Sequence, residues 1–152
     1  MVLGDNIIEG NICSAVDGYR KQRGGAKIML KKVPDPQRFG VPRLDGHRVV
    51  RIDEKPLKPQ SDYAVIGVYM YDAKVYDIIR SLIPSGRGEL EITDVNNAYI
   101  ERDAMTWEEL EGWWTDAGTF ESLLRASNLV AETGANKMSF EHEKVVANAQ
   151  PL

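Results

Sequence analysis

The sequence predicts an α/β layered fold with one hairpin insertion, on three grounds. Tyr63 to Tyr71 (YAVIGVYMY) is almost continuously apolar, the pattern of a strand buried on both faces. Short strand-like runs alternate with segments whose apolar residues recur at helical spacing. Asp45-Gly46 joins two extended arms, and that dipeptide accepts the positive φ of a tight hairpin.

In chain order, Met1 to Leu3 reads as the end of an apolar strand, with Gly4-Asp5-Asn6 turning out of it. Asn11 to Gln22 is a predicted short helix stopped by Gly24-Gly25. Ala26 to Val33 is a strand, ended by Pro34-Asp35-Pro36 because proline fixes φ and removes a donor. Gly40 to Leu44 and Arg48 to Asp53 are the hairpin arms. After Tyr63 to Tyr71 comes a helix over Ala73 to Leu82, broken at Ile83-Pro84-Ser85-Gly86. Leu90 to Arg102 has helical spacing, starting near Glu91 or Thr93, and Met105 to Leu110 is a strand. Thr119 to Glu132 is a helix with Thr119 as N-cap and Ser122 three residues on. Residues 1–136 are expected to carry the fold, and the polar tail over 137–152 to be a loose helix or disordered.

Length and composition fit one ordinary domain: 152 residues, 43% hydrophobic and 28% charged. A formal charge of −4 provides no basic footprint, so neither nucleic acid nor an anionic membrane is an expected partner. The single Cys13 excludes an internal disulfide, which fits a reducing cytoplasm, and reads as a small buried residue of its helix. No apolar run reaches transmembrane length. His47 and His142 lack metal-ligand or triad partners at useful spacing and are read as solvated. No glycine-rich segment matches a phosphate-binding loop or a dinucleotide fingerprint.

The candidate chemistry rests on carboxylates and cations. Asp5 in Leu3-Gly4-Asp5-Asn6 and Asp116 in Trp114-Thr115-Asp116-Ala117-Gly118 each follow an apolar or aromatic stub. Carboxylates at strand ends lie where open α/β sheets bind ligands, and two of them can share a hard divalent cation. A turn or a helix cap also accounts for either aspartate on local grounds. Glu54-Lys55-Pro56 is either a surface ion pair or an acid for sugar hydroxyls beside a lysine for phosphate. Arg87, flanked by Gly86 and Gly88 ahead of a helix, is either a phosphate ligand or a solvated charge. Trp113 and Trp114 are read as packing residues.

Taken in order, LGDNIIEG, VPDPQRFGV, IDEKP, SDYAVIGVYMYD, SGRGELEITDVNNAYIE and GWWTDAGTFESLL resemble the sugar-1-phosphate nucleotidylyltransferase family, and within it the branch that uses glucose 1-phosphate and dTTP. The resemblance runs from Val2 to about Val130, and the RGELEITDVN block is its most specific part. It implies a partial Rossmann-like nucleotidyltransferase sheet, truncated at its N-terminal side. It also implies Mg²⁺-dependent attack of the sugar phosphate on the nucleotide α-phosphorus, with pyrophosphate released. By the same resemblance, Asp5 and Asp116 would bind Mg²⁺, and Glu54 the glucose hydroxyls with backbone at Gly40 and Val65. Lys55 and Arg87 would hold the phosphate, and Tyr69 would line the sugar pocket.

The family's glycine-rich loop and a later lysine, which hold the triphosphate and base, precede the LGDN block and have no counterpart in this sequence. The expectation is therefore that dTTP is used only if an N-terminal half is supplied by a complementing chain. Exposed apolar surface would then favour self-association. A non-catalytic sugar-phosphate-binding or assembly module, or use of another sugar or nucleotide, are the alternatives.

Overall fold

The computed structural model describes residues 1–86 and 88–134. Arg87, His142 and the predicted tail therefore lie outside the described residues. The elements, in order, are β1 (Asn6–Ile8), α1 (Cys13–Arg20), β2 (Ala26–Lys32), β3 (Gly40–Asp45), β4 (Arg48–Glu54) and β5 (Tyr63–Tyr71). They continue with α2 (Val75–Ser81), α3 (Ile92–Ile100), β6 (Met105–Glu109), β7 (Trp114–Asp116) and α4 (Phe120–Thr133).

The main sheet runs β5-β2-β6, with β2 antiparallel to β5 and parallel to β6. β2 is central because its first five residues are all buried, so both faces can be covered. One face carries Ile28 and Leu30 against Val49, Ile52, Val65 and Tyr69; the other carries Met29 against Ala15, Ile66, Val68 and Leu110. Full burial of such side chains contributes about 1.5–3 kcal/mol each. Gly25, at φ 88, enters β2 so close to the Ala104 carbonyl that a Cβ would collide with it.

Met1 to Leu3 lies along the outer edge of β5 through a bridge between Val2 and Val68. Leu3 N–H donates to Gly67 O at 2.8 Å, and Tyr69 N–H donates to Met1 O at 2.9 Å. The β3–β4 hairpin turns at Gly46, φ 57, as its Asp-Gly sequence predicts. Asn97 on α3 docks this hairpin by mimicking a strand: Ile52 N–H donates to its Oδ1 and its Nδ2 donates to Ile52 O, both at 2.9 Å. α4 begins as predicted, with Thr119 and Ser122 forming a reciprocal capping box.

The pairing of β1 with β7 is not apparent in the sequence. Each strand is three residues long, too short for an alternation pattern to emerge. Cys13 corrects an expectation: it is exposed, because α1 turns Ala15 rather than Cys13 toward the sheet.

Candidate functional site

The antiparallel pairing of β1 with β7 sets Asn6 opposite Asp116, and Ala117 N–H donates to Asp5 O at 2.7 Å. Asp5 thus leaves a turn between the Met1–Leu3 segment and β1, while Asp116 is the last residue of β7. The two carboxylates converge over Gly118, where a Cβ would lie 2.9 Å from Asp116 Oδ1 and 3.5 Å from Asp5 Oδ2. Gly118 N–H donates to Asp116 Oδ1 at 2.6 Å, whereas Thr119, not Asp116, caps α4. The capping alternative for Asp116 therefore does not hold.

Asn6 aims the Asp5 carboxylate. Its Oδ1 accepts from Gly67 N–H at 2.8 Å and from Trp114 Nε1–H at 2.7 Å, which directs Nδ2 to Asp5 Oδ1 at 2.8 Å. Gly67 permits this, since a Cβ there would overlap the Asn6 amide. Trp114 also meets Phe39 edge-on at 5.1 Å, so it is a packing residue that at the same time walls the site.

A second acid faces this pair. Glu54 ends β4 opposite Gly40, and its Oε2 accepts from Thr93 Oγ1–H at 2.6 Å. Gly40 leaves little room for a side chain, because a Cβ would stand 3.2 Å from Ile52 Cγ2. Lys55 adopts φ 44, and its N–H donates to Phe39 O at 3.0 Å. The right-handed region is disfavoured for Lys55 because Pro56 follows it. Its ammonium stands 3.9 Å from Glu54 Oε1, a loose, half-exposed pair that contributes little to stability.

Tyr69, only 4% exposed, lines the same cavity within electrostatic reach of Glu54 and Asp5. Burial pushes its phenol up to about 12, and the Glu54 and Asp5 carboxylates add to the shift. It therefore stays a neutral hydrogen-bond donor at ordinary pH.

All of these groups open onto one cavity of about 200 Å³, which Asp5, Gly40, Glu54, Lys55, Val65, Tyr69 and Asp116 line. Every predicted site residue that the structure describes is thus in one place. Sequence reasoning missed Asn6, Arg38, Phe39, Thr93 and Asn96, which also line it. The ITDVN spacing held the one available signal, since Thr93 and Asn96 are three apart on one helical face. A larger hollow of about 450 Å³ lies beside α1, but of its acids Glu108 is paired with Lys27 and Glu109 accepts from Tyr63.

Among the described residues no cluster of three or more His, Cys, Asp or Glu side chains could hold a metal. Asp5 and Asp116 are a two-carboxylate set. That suits a small hard cation which keeps several waters and takes its other oxygens from phosphates.

The acid pair and Glu54 thus line one cavity within an α/β frame. The chain belongs to the nucleotidyl transferase family, whose model matches residues 1–133. Glucose-1-phosphate thymidylyltransferase of Xanthomonas campestris is 44% identical over 136 residues, covering 86% of this chain and 45% of that protein. The low-salt glycan biosynthesis nucleotidyltransferase of Haloferax volcanii is 40% identical over 134 residues, covering 87% of this chain and 38% of that protein. The chain thus spans about half the length of the curated relatives it matches. A Bacillus anthracis crystal structure, assigned as a glucose-1-phosphate thymidylyltransferase and holding a sucrose, superposes with TM-score 0.81 at 48% identity, over 91% of this chain and 55% of that one. Apo UDP-glucose pyrophosphorylase, at 22% identity and TM-score 0.76 over 88% of this chain and 54% of its own, shares the fold. Among the described residues no helix is long and apolar enough to cross a membrane.

Proposed function

We propose that this chain supplies the sugar-phosphate and metal part of a glucose-1-phosphate thymidylyltransferase, which joins glucose 1-phosphate to dTTP and releases pyrophosphate. The observation that carries the reading is the single cavity in which Glu54, Lys55 and Tyr69 face Asp5 and Asp116. Glu54, already fixed by Thr93, keeps one oxygen for sugar hydroxyls, with backbone at Gly40 and Val65 beside it. Lys55 carries a cation to the phosphate, and Arg87 is assigned as its companion. Asp5 and Asp116 would hold Mg²⁺, which when bound neutralises phosphate charge during in-line displacement. The side chains of this chain position the reactants and complement charge, and no covalent intermediate with the protein is required.

Binding of the nucleotide base is assigned to residues outside this sequence, since none of its glycine-rich segments matches the phosphate-loop pattern. Residues 1–136 are the site-bearing part. The cytoplasm is the proposed compartment, where an exposed Cys13 remains a thiol.

Calorimetric titration of the chain with Mn²⁺ and, separately, with glucose 1-phosphate tests the assignment. Asp116→Asn is expected to remove metal binding and leave sugar-phosphate binding. Glu54→Gln is expected to do the reverse, at least tenfold in each case. Variants that each leave both affinities unchanged would refute the reading.

A further inference from the structure

We infer that the side-chain amide of Asn96 donates a hydrogen bond to a sugar hydroxyl in the cavity, and that Tyr71 holds it in the orientation to do so. The inference rests on the sugar-phosphate reading of that cavity.

Asn96 follows Thr93 by one helical turn on α3, so the two side chains share a face. Thr93 hydrogen-bonds Glu54, and Asn96 lines the same cavity. Asn96 is only 1% exposed. Its Oδ1 accepts from the Tyr71 hydroxyl at 2.7 Å. Among the described residues nothing accepts a hydrogen bond from its Nδ2. Yet among them no side-chain nitrogen or oxygen that is completely sealed lacks a partner. Nδ2 is therefore not completely sealed, and Asn96 is part of the cavity lining.

The orientation of the amide follows from Tyr71. That ring stacks on Tyr69 at 6.0 Å and 7° and on Tyr99 at 5.5 Å and 21°. Tyr99 is itself tied by its hydroxyl to Asp72 Oδ1 at 2.8 Å, and Asp72 also accepts from Gly25 N–H. The Tyr71 hydroxyl thus cannot move to a new acceptor. Its one proton finds Asn96 Oδ1, and a flipped amide would leave that proton buried without a partner. With Oδ1 held by Tyr71, Nδ2 is the end of the amide left for the cavity that Asn96 lines. A nearly desolvated donor without a partner is unfavourable, and a ligand oxygen there relieves it. The ligand class is an aldose 1-phosphate with a hydroxyl at that depth. A deoxy analogue leaves the donor unpaired and is selected against.

Glucose 1-phosphate and its monodeoxy analogues, titrated calorimetrically into the chain, test this. One analogue is expected to bind wild type about tenfold more weakly than the parent sugar. In Asn96→Leu that gap should close while the other analogues keep their order. Asn96→Asp preserves both the volume and the bond from Tyr71, so it reports on the lost donor even if leucine disturbs the packing; the same gap should close. Tyr71→Phe, with the amide released, should narrow the gap only in part. A gap that persists in Asn96→Asp, or an equal loss for every ligand, overturns the inference. Failure of wild type to bind glucose 1-phosphate would instead overturn the sugar-phosphate reading, and this inference with it.

Discussion

Asn6 holds the Asp5 side of the site together although it has no charge to advertise it. Three hydrogen bonds link it to Gly67, Trp114 and Asp5. Asn6→Ala is expected to cost about 1–3 kcal/mol, read as a lower urea midpoint, because two partly buried N–H donors lose their acceptor. It should also weaken Mn²⁺ binding, since the Asp5 carboxylate is then free to rotate. Tyr69 gives a pH signature. Its neutral phenol is favoured in the folded chain, so the associated stability is complete below the unfolded value of ~10. That stability is lost as pH rises through about 12. Phenolate absorbance should show one tyrosine titrating near 12, missing in Tyr69→Phe; a single common transition near ~10 would contradict the geometry. At this scale the charged groups were legible, because Asp5, Glu54, Lys55 and Asp116 stand in recognisable motifs. Asn6, Thr93 and Asn96 were not, because their roles depend on which strand or helix lies across from them.

Among the elements, α4 shows where local rules suffice. Thr119 was readable as its cap because the signal lies within four consecutive residues. Thr119→Ala should cost about 1 kcal/mol of stability by thermal or chemical unfolding. It should also loosen Asp116, which lies three residues upstream across Gly118. A change below a few tenths of a kcal/mol would mean that α4 is held mainly by packing rather than by its cap. β5 and the hairpin were equally plain, one from its apolar run and the other from Asp45-Gly46. β1 and β7 were not, since their stability comes from pairing with each other and not from their own composition. The extended start of the chain was foreseen, but its seat on the edge of β5 was not.

For the whole molecule, exposed apolar side chains include groups near both ends of the described chain. Met1, Val2 and Leu3 flank β5, and Phe120, Leu123 and Leu124 stand out from α4. Such surface predicts association that rises with concentration. Sedimentation velocity over a hundredfold concentration range should show a growing larger species, and a monomer throughout would argue against it. The α/β class and the β3–β4 ribbon were legible, but the division of the other described strands into a three-stranded sheet and the β1–β7 ribbon was not. That division depends on contacts between segments far apart in sequence.

The β1–β7 ribbon joins residues 108 positions apart, so the acid pair exists only once nearly the whole described chain has closed into a loop. Closing a loop of that length costs several kcal/mol of chain entropy, on the order of (3/2)RT ln n plus a constant. A cation shared by Asp5 and Asp116 would act as a removable clasp on that loop. It would slow the first opening of the molecule far more than its refolding, because the clasp cannot form until the ends have met.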